Sequence, residues 1–281
     1  MKRIAVIPNN SKDIGLVNTK RLVEFLNGKA EIYIDEAYSV LGLNVNYVAE
    51  NEILDNAEYL IVLGGDGTIL QRAAECAKRK IPVLGINLGK IGFMTEIEID
   101  DMEDAISKFL QDDFIIEKRM MMKAEIRKEN KIQFSFHALN DVVVSKVAGE
   151  KLIYMELSTD GVAVNRYTAD GLIIATPTGS TGYSISAGGP VVDPCMRLYV
   201  ATPICAHMLS VRSAVLSSNK DIRIKLDGEY GNADAVVTAD GDIQGYIKNA
   251  DEVIITESEY DFELIKIGEQ SFYDTLIKKL S

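Results

Sequence analysis

At 281 residues, with 47% apolar and 26% charged side chains, the chain has the make-up of a soluble globular protein of one large or two ordinary domains. Forty-two acidic against 30 basic side chains leave a formal charge of −12, which repels polyanions at long range and argues against non-specific nucleic-acid binding through Lys/Arg–phosphate contacts. No run approaches the roughly 18 apolar residues of a membrane helix, and the apolar stretch after Met1-Lys2-Arg3 is too short for a signal-peptide core, so a cytoplasmic protein with neither nucleic acid nor membrane as partner is expected.

The first third alternates buried-strand and helix patterns. Residues 3–7 read as a strand. Residues 16–26 carry Leu16, Val17, Leu22, Val23, Phe25 and Leu26 at near-helical spacing, and Asn27-Gly28 ends the run. Residues 30–34 and 58–63 read as strands, 68–80 as a helix, 81–86 as a strand and 101–110 as an amphipathic helix with an acidic first turn. This alternation implies right-handed parallel crossovers and a Rossmann-like open sheet.

From about residue 119 the runs become short and rich in β formers: 120–127, 132–138, 142–145, 152–158, 162–165, 172–175, 221–226, 235–238, 252–256 and 263–267. Turn signals separate the earlier ones at Glu129-Asn130, Ala148-Gly149 and Asp160-Gly161, the last a strong hairpin signal. The expected architecture is therefore an α/β domain over 1–118, a β-sandwich over 119–255, and a segment 256–281 that returns to the first domain. Its end, with Phe272, Leu276 and Leu280 on one helical face, needs a surface to pack on. Cys76, Cys195 and Cys205 form no C-x-x-C pair, and with only His137 and His207 present neither a zinc site nor a histidine-based triad is expected.

Two loops carry the chemistry. Gly64-Gly65-Asp66-Gly67-Thr68 follows a buried strand and opens a helix. Glycines at a strand's carboxyl end let backbone amides approach a phosphate, and a helix start attracts the anion. The loop matches neither G-x-x-x-x-G-K-[ST] nor G-x-G-x-x-G. Asp66, beside phosphates, needs a hydroxyl or a cation as partner; the competing reading is a plain helix cap. The second loop, from Thr176-Pro177-Thr178-Gly179-Ser180-Thr181-Gly182-Tyr183-Ser184 to Ser186 and Gly188-Gly189-Pro190, offers neutral donors suited to ribose, base and amide groups, with Tyr183 able to stack on a base. A flexible Gly/Ser linker is the competing reading, opposed by Pro177, Tyr183 and Ile185. Asn140-Asp141 and Asp170-Gly171, each before a strand, read singly as turns and, beside the two loops, as ribose or base contacts.

The Gly64–Thr68 element resembles the GGDGT signature of NAD kinases, with related elements in diacylglycerol, sphingosine and 6-phosphofructokinases. The stretches Leu84-Gly85-Ile86-Asn87-Leu88-Gly89 and Gly92-Phe93-Met94-Thr95, the pair Asn140-Asp141, the block 170–190, Pro203-Ile204-Cys205 with His207, and Asp240-Gly241 narrow the resemblance to the NAD kinase family over most of the chain. The resemblance implies an α/β domain followed by a β-sandwich, phosphorylation of the 2′-hydroxyl of NAD with ATP as donor, Mg²⁺ or another divalent cation, and a homodimer or homotetramer. It makes Asp66 the catalytic carboxylate. It puts Gly64, Gly65 and Thr68 against the donor phosphates and gives Gly67 of the same loop to the substrate. It gives Asn140, Asp141, Lys151, Asp170, Thr181, Gly182, Tyr183, Ser184 and Ser186 to the substrate, and no residue to a protein-held metal. Departures are Gln71 where a basic residue is common, Gly182 for Ala, Thr168 for Arg, Ala206 and Ser213 for Pro, and Asp242 for Gln. A lipid or small-molecule kinase sharing the first loop, or a non-catalytic dinucleotide-binding protein, are the alternatives.

Overall fold

The computed structural model describes residues 1–95, 97–207, 212–227, 234–268 and 271–280, the last without its side chain. The chain divides into two compact units, Met1–Lys118 with Phe262–Ser281, and Arg119–Asp261.

The first unit opens with β1 (Lys2–Pro8), α1 (Val17–Leu26), β2 (Ala30–Asp35), β3 (Asn46–Val48), β4 (Tyr59–Gly64), α2 (Asp66–Arg79), β5 (Val83–Asn87), β6 (Ile97–Glu98) and α3 (Met102–Leu110). The strands pair in parallel in the order β5-β4-β1-β2-β3, and β6 adds to β5. The unbroken run Leu60-Ile61-Val62-Leu63 follows from burial on both faces of a parallel sheet. Leu22, Val23 and Leu26 of α1 and Ile106 and Phe109 of α3 pack with Ile4, Val6, Ile61 and Leu63, while α2 lies on β4 and β5. From β1 the strand order runs one way through β2 and the other way through β4. The carboxyl ends of β1 and β4 therefore flank the switch point where open α/β sheets bind ligands.

The second unit contains most of β7 (Ile115–Lys128), then β8 (Lys131–Ala138), β9 (Asp141–Lys146), β10 (Ile153–Thr159), β11 (Val162–Ala169), β12 (Gly171–Ala175), α4 (Tyr183–Ser186), β13 (Leu198–Ile204), β14 (Ala214–Ser217), β15 (Ile222–Leu226), β16 (Ala235–Ala239), β17 (Asp242–Ile247) and the start of β18 (Glu252–Lys266). One sheet runs β14-β13-β12-β9-β16-β17. The strands β11-β10-β15-β18, with β7 and β8, form the other layer. Neighbours in the six-stranded sheet and along β11-β10-β15-β18 are antiparallel. Alternate residues of both layers share one core, Val142, Leu172 and Ile174 from one and Met155, Leu157, Ile224 and Ile255 from the other, which is the logic of a β-sandwich. The Asp160-Gly161 turn has φ of 48° and 78°, the left-handed pair a tight hairpin demands.

The tail of β18 joins the first unit's sheet, with Leu264 opposite Val83. It leads to α5 (Phe272–Leu280), where the Phe272 ring packs at a tilt against Phe93, centroids 5.6 Å apart. The Leu280 side chain expected on the same face lies outside the described residues.

The sequence expectation lacked the strands β3, β6, β14 and β17 and the short helix α4; two further differences have a clear physical reason. The runs 252–256 and 263–267 are one continuous strand, because the polar stretch between them is a half-exposed strand face: Arg197 bonds Glu257 at 2.8 Å and Asp261 at 3.0 Å, and His137 Nδ1 meets Ser258 Oγ at 2.9 Å. The strand β13 was not anticipated, because Val200-Ala201-Thr202-Pro203 neither alternates nor avoids proline. It lies inside a sheet, where burial on both sides removes the alternation. Ile174 on β12 is fully buried between β9 and β13. Ile174→Ala is expected to destabilise the second unit by about 2–5 kcal/mol, read as a lower urea midpoint with an unchanged denaturant slope.

Candidate active site

In the first loop, Gly65 supplies the N-cap of α2 with extended backbone and no side-chain bond, and Asp66 is the first helical residue. Its carboxylate does not cap the helix. Oδ2 accepts the Phe93 N–H at 2.8 Å, and Oδ1 accepts the Met94 N–H, the Thr95 N–H and the Thr95 hydroxyl, each at 3.1 Å. The acid is thus oriented by three successive amides, a cradle that leaves no room for a side chain at Gly92: a Cβ there would stand 1.9 Å from Asp66 Oδ1. Phe93 is held from its other side by Phe272 and by the Lys279 ammonium, 4.2 Å from the ring centre. Thr68 is buried and accepts from Asn9 Nδ2 at 2.9 Å. Asn9 in turn follows β1 and donates its amide to Leu63 O at 2.8 Å. Gly64, Gly65, Asp66, Gly67 and Thr68 therefore form one ordered turn at the carboxyl end of β4. Asn9 went unnoticed in the sequence because an Asn after a strand usually signals only a turn.

In the second unit the expected residues converge on a second ordered loop. The Thr176 N–H donates to Asn140 O at 2.8 Å, the Thr176 hydroxyl donates to Leu139 O at 2.5 Å, and Thr176 Oγ1 accepts from the Gly179 N–H at 3.1 Å. A Cβ on Gly179 would stand 2.0 Å from Asn140 O, so the loop and the Asn140-Asp141 pair can interlock only through glycine. Asp240, in a tight β16–β17 turn, locks this arrangement: its carboxylate accepts the N–H groups of Leu139 and Asn140 at 2.7 Å and of Asp141 at 3.1 Å. The side-chain oxygen of Asn140 is buried and has no hydrogen-bond partner among the described residues. The Arg119 guanidinium, 1% exposed, reaches the Thr178 hydroxyl at 3.5 Å.

The remaining expected residues divide. Tyr183 and Ser186 are exposed at the two ends of α4, with Gly182 just before it, and Thr181 donates to Thr178 O at 3.2 Å. Ser184 points inward onto Thr202 at 3.0 Å. Asp170 is paired with Lys146 at 2.6 Å, a partner that spacing along the chain does not indicate. Lys151 is exposed just before β10.

Two buried carboxyls lie behind the second loop. Burial, reinforced by Asp240, pushes Asp141 up to about 7, and burial pushes Asp240 up to about 6 against the pull of its three amide donors. As the two interact, the proton resides on Asp141, which lacks the amides that favour the ionised form of Asp240.

A strand–glycine-loop–helix with an oriented carboxylate, joined in one chain to a hydroxyl-rich loop on a β-sandwich, is the signature of a nucleotide-handling phosphotransferase. The ATP-NAD kinase N-terminal domain family matches residues 6–114, and the ATP-NAD kinase C-terminal domain family matches residues 139–267. The NAD kinase of Caldanaerobacter subterraneus subsp. tengcongensis is 40% identical over 284 residues, spanning 100% of this chain and 99% of its own. That of Natranaerobius thermophilus is 38% identical over 284 residues, with 100% and 98% covered. Among solved structures, an NAD kinase from Archaeoglobus fulgidus in complex with ATP superposes with a TM-score of 0.76 at 28% identity, covering 99% of this chain and 98% of that one. A yeast NADH kinase complexed with NADH superposes at 0.91 with 22% identity, over 100% and 87%, a likeness of fold. The chain belongs to the NAD kinase family.

The raised Asp141 makes stability depend on pH in a defined direction. An unfolded Asp releases its proton near 3.9, whereas the folded one holds it to about 7. The folded state therefore binds the extra proton between those values. The stabilisation is complete below about 4 and is lost as pH rises to about 7. Urea unfolding is expected to show lower stability at pH 8 than at pH 5, and Asp141→Asn is expected to remove most of that slope; an undiminished slope in the variant would contradict the assignment.

Proposed function

We propose that the chain transfers the γ-phosphoryl group of ATP to the 2′-hydroxyl of the adenosine ribose of NAD, giving NADP and ADP. The observation that carries this reading is Asp66, an acid set among glycines at a sheet switch point and oriented by the amides of residues 93–95. Phosphoryl transfer demands alignment and charge placement more than covalent help from the protein. Asp66 orients the ribose hydroxyl toward the γ-phosphorus and accepts its proton late in the transfer. The backbone of Gly64 and Gly65 and the start of α2 receive the donor phosphates, with Thr68 beside them and Gly67 between donor and acceptor.

NAD is held by the second loop. The buried, unpartnered Asn140 oxygen is an acceptor that an adenine or amide N–H would satisfy, and burial of such an atom without a partner is costly. Asp141, Asp170, Thr181, Gly182, Tyr183, Ser184 and Ser186 are assigned to the same ligand, with Lys151 at its edge. The fixed, interlocked geometry of the Thr176–Gly179 turn supports a preformed site over a linker. The domain division that goes with this reading is 1–118 for the donor, 119–255 for NAD and 256–281 for the returning segment.

A divalent cation is proposed to arrive with ATP on its phosphate oxygens. Among the described residues no three Asp, Glu, His or Cys side chains converge to hold one. No described helix is long and apolar enough to cross a membrane. A cytoplasmic location is proposed from composition and cysteine use, and a homodimer or homotetramer from family resemblance, the assembly to be read by sedimentation.

Asp66→Asn tests the assignment. An amide cannot accept on both sides of the cradle, so the variant loses the Phe93 or the Met94–Thr95 contact as well as its proton acceptor. Turnover is expected to fall by about 10²–10⁴-fold while calorimetry shows NAD affinity little changed; near-normal kcat would overturn the role. Gly92→Ala, whose Cβ would stand 1.9 Å from Asp66 Oδ1 and displace the carboxylate, is expected to lower kcat by a similar factor with the carboxylate still present.

A further inference from the structure

We infer that Lys12 is the donor-phosphate cation of this enzyme, the residue that holds the β- and γ-phosphates over the glycine loop and stabilises the diphosphate as it leaves. The inference rests on the proposed NAD kinase reading and assigns a role to a residue outside every motif noted in the sequence.

The placement carries it. The Lys12 ammonium lies 2.6 Å from the point where a Cβ on Gly65 would stand, and 3.7 Å from the corresponding point at Gly89. The two glycines belong to the loops that follow the adjacent strands β4 and β5. The cation therefore occupies the space that the absent side chains leave open, above the backbone to which the donor phosphates are assigned. The segment that carries it is pinned at both ends. Asn9 donates to Leu63 O at 2.8 Å and to Thr68 Oγ1 at 2.9 Å, and its side chain and carbonyl oxygens accept the Lys12 N–H at 3.2 and 3.0 Å. Asp13, 1% exposed, accepts from the Asn18 N–H at 3.0 Å, from the Thr19 N–H at 2.9 Å and from the Thr19 hydroxyl at 2.6 Å at the start of α1. Lys12 is thus an exposed side chain on a fixed backbone.

Its charge is also uncommitted. In a chain with a formal charge of −12, Lys2, Lys108 and Lys146 are each paired with an aspartate. Lys12 forms no ion pair or hydrogen bond through its side chain among the described residues. A compact ammonium with three donors suits the tetrahedral oxygens of a phosphate chain. During transfer the bond between the γ-phosphorus and the β–γ bridging oxygen breaks and the bond from the ribose oxygen to the γ-phosphorus forms. The hydroxyl proton goes to Asp66, and the negative charge gathers on the bridging oxygen and the β-phosphate of ADP. Lys12 keeps its protons throughout and supplies positive charge where that charge develops.

The test uses the full chain with Lys12→Ala and Lys12→Arg. Kinetics with ATP varied at saturating NAD, and the reverse, are combined with calorimetric binding of ATP, ADP and AMP. Lys12→Ala is expected to lose on the order of a hundredfold in kcat/KM for ATP, with KM for NAD nearly unchanged. The affinity loss is expected to be largest for ATP, smaller for ADP and absent for AMP. Lys12→Arg, which retains charge, is expected to recover part of the loss. Near-wild-type kcat/KM for ATP in Lys12→Ala, or an equal loss of affinity for all three nucleotides, overturns the inference. If the wild-type chain forms no NADP from NAD and ATP, it is the kinase reading that fails, and the dependence of affinity on phosphate number still decides the role of Lys12.

Discussion

The geometry of the proposed site depends on how one carboxylate is held. Asp66 stands at the start of a helix among glycines, where neither a neighbouring side chain nor the helix cap fixes it. Three consecutive amides of residues 93–95 and the Thr95 hydroxyl do so instead, from the chain segment after β5. That segment is kept in place by Phe93, which is gripped by Phe272 and Lys279 of the returning C-terminal helix. The orientation of this carboxylate thus runs through a loop about thirty residues downstream and a helix at the far end of the chain.

The second unit uses the same device for a different purpose. Asp240, in a hairpin turn, collects the amides of Leu139, Asn140 and Asp141, and so presents the Asn140 side chain to the hydroxyl-rich loop. In both units an aspartate accepting a run of backbone amides converts a turn into a rigid element. In one the aspartate is the group proposed to act on the substrate. In the other it is a buried brace whose charge adds to Asp141's own burial in raising the affinity of Asp141 for a proton.

Much of the fold was legible because it rests on local rules. Buried parallel strands are short apolar runs, and the helices over 17–26, 66–79 and 102–110 follow from 3.6-residue spacing. The Asp160-Gly161 hairpin follows from the need for positive φ. The parts that were not legible depend on burial decided elsewhere in the chain. The strand β13 looks irregular until it is seen to lie between two neighbours, and the polar middle of β18 is a strand only because Arg197, His137 and the adjoining strand receive its side chains.

The site divides in the same way. Residue types and their spacing specify the chemical kinds: an acid among glycines after a buried strand, a hydroxyl-rich loop after another, and the motif pattern of a family. Folding settles the rest: Asp66 is cradled by amides and is not a helix cap, Ser184 faces inward, Asp170 is paired with Lys146, and Asn9 and Lys12 stand at the glycine loop. The physical reason is that composition and spacing specify what a segment can bond to. Which donor, cation or cavity meets it is set by strands and turns that are distant in sequence and adjacent only after folding.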